Sequence, residues 1–198
     1  MLGREAAVRL RLHPGKTKMT LKHLFALAFG LALGSSALAQ ATGWIDGHGQ
    51  PVPETEARRS INGLGGFLLI TPDANWREKW DTPADTVPHF NEVKSIGRGQ
   101  QVFVLIFFSN PKISADGRVD LTCDLDLVQP DGSTSTHQDN VCFRGEVKGG
   151  PATVYLADPV ISFTGDATDA TGTWTVRVSL KDNESKTVLP LKTSFTLK

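Results

Sequence analysis

The sequence predicts an all-β protein, an antiparallel β-sandwich with one short helical insert. Apolar and polar residues alternate along Val119–Val128 and again along Trp174–Leu180, so every second side chain faces a core. Turn-forming residues separate the short strand-like segments at intervals of roughly 8–12 residues, which is typical of sandwiches. No strand–helix–strand repeat is visible, and this argues against a doubly wound parallel sheet.

Length and composition are those of one ordinary domain with a tail. The chain has 198 residues, of which 39% are hydrophobic and 21% are charged, so a disordered protein is not expected. The 21 basic residues balance the 21 acidic ones. A nucleic-acid-binding protein would show a basic excess, so this class is not expected.

Residues 1–39 have the three-part pattern of a leader with a secretory signal peptide. Met19–His23 is a basic start, Leu24–Leu33 is an uncharged apolar run, and small residues precede a cut after Ala39. Either Met19 is the true start or residues 1–18 lengthen the basic region. The apolar run is shorter than the about 20 residues that span a bilayer. We therefore expect a periplasmic or secreted protein with no stable membrane span after leader removal.

Export to an oxidising compartment affects the expected state of the two cysteines. The chain from Gln40 onward keeps 15 basic and 20 acidic residues and contains Cys123 and Cys142 as its only cysteines. An oxidising compartment favours joining them, and the spacing is not the CxxC of a redox pair. The sequence therefore predicts a structural disulfide.

The chain divides into an extended N-terminal segment, residues 40–64, and a sandwich domain, residues 65–198. Gln101–Phe108 is apolar at every position after the first, which predicts a central strand covered on both faces. Thr71 and Pro72 favour a helix start, with a helical turn over Asn75–Trp80. The expected strands are 67–70, 101–108, 119–128, 134–143, 154–156, 160–163, 174–180 and 188–197.

Three segments resemble the immunoglobulin-like modules of bacterial exported proteins. Gly172–Asp182 is similar to their penultimate strand, Ser194–Leu197 to the end of their last strand, and Val128–Ser133 to a strand end with its turn. The resemblance implies an immunoglobulin-like sandwich of about seven or eight strands. The close spacing of the cysteines departs from antibody-type domains, whose disulfide joins distant strands. The resemblance implies a fold and no activity.

Residues able to support catalysis or bind a cofactor are scarce. No GxSxG elbow is present, and His48, His89 and His137 lie on separate segments, so we expect no enzyme and no cofactor. The HExxH and HxxxH spacings of metal sites are absent. His48 and His89 could approach a metal ion with a carboxylate, but solvated histidines are favoured, and no metal site is predicted.

Aspartates at alternate positions of one strand form an acidic stripe. Such carboxylates could offer a weak calcium site. On a straight strand, however, they stand in a row and do not surround an ion. The pattern therefore favours a solvated sheet face. The residues are Asp116, Asp120, Asp124 and Asp126.

The stretch around the predicted helix is the weak candidate binding site. Trp76 and Trp80 are four residues apart and share one helix face, and His89 and Phe90 follow nearby. These residues either form an aromatic patch for a glycan, a peptide or a partner protein, or they form a lid over the sandwich. We expect Trp80 to belong to a lid and Trp76 to be the more exposed residue.

The sequence thus predicts an exported, non-enzymatic sandwich that acts as a binding or accessory module in the cell envelope. Its partner would be an unknown envelope protein, a peptide or a glycan. A structural or assembly role, in which strands pair with a partner as in a chaperone, is the alternative. Metal binding is a weaker alternative.

Overall fold

A computed structural model describes residues 44–45, 50–83, 87–139, 142–150 and 153–198. The predicted leader, residues 1–39, and His48 lie outside these ranges. The described residues form eleven strands and one short helix. Their bounds in chain order are β1 Arg58–Ile61, β2 Leu64–Thr71, α1 Trp76–Trp80, β3 Ser95–Ile96, β4 Gln101–Ser109, β5 Arg118–Val128, β6 Thr134–Asp139, β7 Phe143–Glu146, β8 Val154–Leu156, β9 Ile161–Thr164, β10 Gly172–Asp182 and β11 Thr187–Leu197.

The strands form two sheets that pack as a sandwich, which confirms the predicted fold class. Sheet I has the order β1-β2-β4-β8, and β9 pairs with β4 beside β8. Sheet II has the order β3-β11-β10-β5-β6, and β7 pairs with β5 beside β6. Among the described strands, only the short β3 pairs in parallel, with the end of β11. The long β5, β10 and β11 form a continuous antiparallel ladder.

The main core lies between the sheets and follows the predicted alternation. Val119, Leu121, Cys123 and Leu125 of β5 are buried there, together with Trp174 of β10. The sheets approach each other closely where β2 crosses β11. A Cβ at Gly66 would lie 2.4 Å from the Cδ2 atom of Leu189, so any larger residue at this crossing would require Leu189 to shift.

The central strand β4 is covered on both faces, as its apolar sequence predicts. Val104, Ile106 and Phe108 face the main core, while Leu105 and Phe107 belong to a second apolar cluster on the outer face of sheet I. The helix α1 lies in that cluster through its tryptophans. No helix in the described part of the chain is long and apolar enough to cross a membrane.

The predicted disulfide is present. Cys123 and Cys142 are bonded, with Cα atoms 5.4 Å apart and a sequence separation of 19 residues. The bond joins the middle of β5 to the residue that precedes β7, and both cysteines are buried in the main core.

The sandwich begins earlier than the boundary at residue 65. The strand β1 lies within the segment 40–64 that was expected to be extended, and it forms a hairpin with β2. Asn62 and Gly63 connect the two strands with positive φ angles of 51° and 87°. Asn-Gly is the preferred pair for such a two-residue turn, because both central positions require positive φ.

The number of strands also exceeds the seven or eight expected. The strand predicted over 134–143 is two strands, β6 and β7, that lie side by side along β5. The very short β3 has no sequence signal of its own because it forms only two residue pairs with β11.

Candidate functional site

The predicted aromatic site lies on the outer face of sheet I. Trp76 and Trp80 are both buried, with exposed fractions of 9% and 8%. The expectation that Trp76 is an exposed contact is therefore wrong, while Trp80 is buried as expected. The physical reason is that β4 presents aromatic rings outward: the Trp76 ring lies 6.2 Å from that of Phe103, and the Trp80 ring 5.5 Å from that of Phe107.

The two other residues of the predicted site, His89 and Phe90, differ in burial. The half-buried Phe90 packs against Phe107, with ring centroids 5.7 Å apart. His89 beside it is exposed. The structure thus brings Trp76, Trp80 and Phe90 into one cluster and leaves His89 outside it. This arrangement is that of a lid over sheet I.

A buried carboxylate fixes this lid. Asp73 accepts hydrogen bonds from Lys79 Nζ at 2.7 Å and from Asn91 Nδ2 at 2.7 Å, and a further one from the Asn91 backbone N–H at 2.9 Å. Burial raises the pKa of Asp73, but these hydrogen bonds outweigh burial and hold the pKa well below its usual range. Asp73 therefore joins the helix to the segment that contains Phe90.

The helix start also differs from the prediction. The helix cap is Asn75, and Thr71 is the last residue of β2. The Thr71 hydroxyl oxygen accepts a hydrogen bond from the backbone N–H of Asp73 at 3.1 Å. Thr71 thus orders the turn that places Asp73 beneath the helix, and it does not cap the helix itself.

The outer face of sheet II is open and charged, and it contains a groove of about 530 Å³. Residues from β1, β5, β6, β10, β11 and the segment before β1 line it. They are Glu56, Arg59, Asp124, Asp126, His137, Arg177, Val178, Ser179, Pro190, Leu191 and Lys192. We refer to this site as the charged groove.

One row of paired residues crosses the charged groove from edge to edge. His137 lies opposite Asp126, and Asp126 lies opposite Arg177. Arg177 lies opposite Lys192, whose Nζ is 3.1 Å from a carboxylate oxygen of Glu56. Opposite charges on neighbouring strands stabilise a sheet modestly, by roughly 0.2–1 kcal/mol each.

His137 lies between two carboxylates at the edge of sheet II. Its Nδ1 is 2.6 Å from Asp126, and its Nε2 is 2.7 Å from Asp139. The hydrogen bond with Asp126 and the negative charge of Asp139 raise the pKa of His137. Both ring nitrogens are thus engaged by acceptors.

Basic and amide groups bind two of the four carboxylates of the acidic stripe, those of Asp120 and Asp126. Asp120 accepts from Arg144 Nε at 2.7 Å and from Asn183 Nδ2 at 3.1 Å. Asp126 is bound by His137. The described residues contain no group of three His, Cys, Asp or Glu side chains arranged to hold a metal ion.

The sequence contained only part of the signal for the charged groove. The alternation of β10 and β5 identifies Arg177, Asp124 and Asp126 as outward-facing residues. It does not show that Lys192 and Glu56 meet them, because that placement depends on the register of strands far apart in the sequence.

No protein-family model matches the chain. No curated protein matches it either. Among solved structures, a family 123 glycoside hydrolase from Clostridium perfringens, studied for the hydrolysis of glycolipid glycans, is similar with a TM-score of 0.37 and 9% identity. The match covers 67% of this chain and 27% of the hydrolase, so the chain spans about a quarter of that protein's length. A TM-score this low supports no inference about activity or substrate.

Proposed function

We propose that the protein is an exported, disulfide-stabilised β-sandwich that acts without enzymatic activity as a binding module of the cell envelope. The leader pattern and the buried Cys123–Cys142 bond support export, since such bonds persist in oxidising compartments. The disulfide is compatible with a periplasmic or a secreted location. The ligand site is the charged groove.

The observation on which the binding role rests is the contrast in accessibility between the two candidate sites. The aromatic residues fill their own cluster beneath the lid, whereas the charged groove is open. Its volume of about 530 Å³ lies within the about 300–1,000 Å³ of small-molecule sites. It also contains charged side chains of both signs, which can fix the orientation of a polar ligand.

The geometry around His137 supports a role without catalysis. A nucleophilic serine requires a histidine with one ring nitrogen free to accept its proton. Both nitrogens of His137 lie within 2.7 Å of carboxylates, so neither is available to Ser179 in the same groove.

One described edge of each sheet is poorly suited to strand pairing with a partner. At one edge of sheet II, β6 is polar at every position, with the sequence TSTHQD. At one edge of sheet I, β8 and β9 are only three and four residues long. Partners that bind by strand addition use a longer continuous edge. Assembly by strand exchange therefore has less support than binding.

Export is tested by expressing the full chain and separating cellular fractions. The exported product should begin at or within a few residues of Gln40 and should contain no free thiol before reduction. A product that keeps Met1 or Met19 and two free thiols in the cytosol would contradict the export proposal.

Binding is tested by nuclear magnetic resonance, with anionic, cationic, dipolar and neutral small solutes added to isotope-labelled protein. At least one class should shift amide signals around the charged groove, and Arg177→Gln should reduce those shifts. Lys181→Gln is the matched control, because Lys181 lies on the same strand but outside the groove. Shifts confined to the surroundings of Trp76 and Phe90 would move the site to the lid.

A further inference from the structure

Like charges face each other at two places, one inside the charged groove and one where Asp124 of the groove lies opposite Asp139 beside it. Asp124 lies directly opposite Asp139 on the β5–β6 pair. Arg177 lies directly opposite Lys192 on the β10–β11 pair. Like charges at directly opposed positions destabilise a sheet, so each pair favours a counter-charge supplied from elsewhere.

The protein supplies that counter-charge only in part. Asp139 is bound by His137, and Lys192 is bound by Glu56. Among the described residues, no hydrogen bond or ion pair reaches the carboxylate of Asp124 or the guanidinium of Arg177. One acidic and one basic group therefore remain open to a ligand in the same groove.

The separation of the two pairs sets the size of a ligand that reaches both. The centres of the acidic pair and the basic pair lie two strand spacings apart across the sheet, roughly 10 Å, and two residues apart along the strands, roughly 7 Å, which gives a separation of about 12 Å. The displacement along the strands arises because Arg177 lies opposite Asp126, which is two residues from Asp124 on β5. An extended tripeptide spans about 10 Å, and an ion-pair distance of about 3 Å at each end lets its two ends reach both pairs.

We propose that the charged groove binds a dipolar ligand, a short peptide with a free amino end and a free carboxyl end. The ammonium group lies against Asp124 and Asp139, and the carboxylate lies against Arg177 and Lys192. The exposed ring of Pro190 also lines the groove, in the same row across the sheet as Asp124 and Ser179. This inference rests on the proposed function, because it names the ligand class of the same groove.

The test uses triglycine and its two capped forms, N-acetyl-triglycine and triglycine amide, titrated at low ionic strength into protein purified after expression of the full chain. Each capped form lacks one end charge, so triglycine should bind more tightly than either by about fivefold or more. The shifted amide signals should lie on the groove strands β5, β10 and β11.

Charge-removing variants show which end of the ligand each pair contacts. Arg177→Gln should weaken triglycine by about fivefold and should remove its advantage over triglycine amide. Asp124→Asn should remove the advantage over N-acetyl-triglycine. Lys181→Gln should change neither, and circular dichroism should show that all three variants remain folded.

Each other outcome decides against the inference. Equal binding of triglycine and N-acetyl-triglycine would make the groove an anion site, and equal binding of triglycine and its amide would make it a cation site. A neutral disaccharide that shifts the groove when no peptide does would overturn the inference and keep the proposed function. If no solute of any charge shifts the groove, the inference and the binding role both fail.

Discussion

The two outer faces of the sandwich differ in composition and in whether another part of the chain covers them. The outer face of sheet I is apolar, and the lid formed by α1 and Phe90 covers it. The outer face of sheet II is charged and open, and a buried disulfide fixes its strand β5. The comparison shows that aromatic residues in an insert need not form a binding surface. In this protein they are buried in a second apolar cluster, and the accessible charged side chains lie on the opposite face.

The largest expected effect is on the covered face. Trp76→Ala and Trp80→Ala should each lower the free energy of unfolding by about 3–5 kcal/mol, because each removes a buried aromatic ring. Urea denaturation measures this, with Val188→Ala as the control on the open face, where an exposed residue should cost less than about 0.5 kcal/mol. A small effect of Trp76→Ala would mean that the lid does not bury this ring in solution.

The next effect concerns the disulfide that fixes the open sheet. Replacing Cys123 and Cys142 together by serine should lower the free energy of unfolding by about 2–4 kcal/mol, since the unfolded chain gains freedom. Denaturation in the presence and absence of a reductant measures the loss. A wild-type protein whose stability does not change on complete reduction would contradict this contribution.

The stabilisation that Asp73 provides through its hydrogen bonds beneath the lid should decrease in acid. The pKa of Asp73 is held below its unfolded value of 3.8, so its contribution is present above that pH and is lost as the pH falls toward the folded pKa. Asp73→Asn should cost about 2 kcal/mol near neutral pH. Its deficit relative to wild type should shrink below pH 3.8.

The comparison for Asp73 is a carboxylate on the open face. Asp124→Asn should not lower stability near neutral pH and should raise it slightly, by less than about 1 kcal/mol, because no described group donates a hydrogen bond to Asp124 and the like charge of Asp139 lies opposite it. If acid changed the stability of the Asp73 and Asp124 variants equally, the stabilising role of the Asp73 hydrogen bonds would be contradicted.

The smallest expected effect is at the edge of the open face. The pKa of His137 is raised above its unfolded value of 6.5, so its stabilisation is fully present below that pH and is lost as the pH rises through the folded pKa. The melting temperature should fall slightly over this range in the wild type. His137→Asn should lack this component, and an unchanged pH profile in the variant would contradict it.

Local pattern predicted the strands and the core of both sheets, but it predicted little of the charged groove. The alternation of β5, the uninterrupted apolar run of β4 and the cysteine pair depend on residues close in sequence, and these predictions are confirmed. Helical spacing correctly placed Trp76 and Trp80 on one face. It could not show that Phe103 and Phe107 would cover both rings, because those contacts depend on tertiary packing.

The charged groove could not be predicted from local sequence pattern either. Its residues come from Glu56 through Lys192, and their meeting depends on the register between strands. The Asn62-Gly63 pair is a local signal for the hairpin of β1 and β2, although the charged residues before it are more typical of an extended segment.

The segment before β1 has a consequence for self-association. The carbonyl of Glu56 accepts a hydrogen bond from the N–H of Lys192 on β11 at 2.7 Å, and the next carbonyl, of Ala57, accepts one from Leu68 on β2 at 2.7 Å. Two successive residues thus satisfy groups on both sheets. A chain cut at residue 65 would leave these N–H groups open along β2 and β11. Open strand edges template pairing with other molecules, so this short segment helps to keep the sandwich from aggregating.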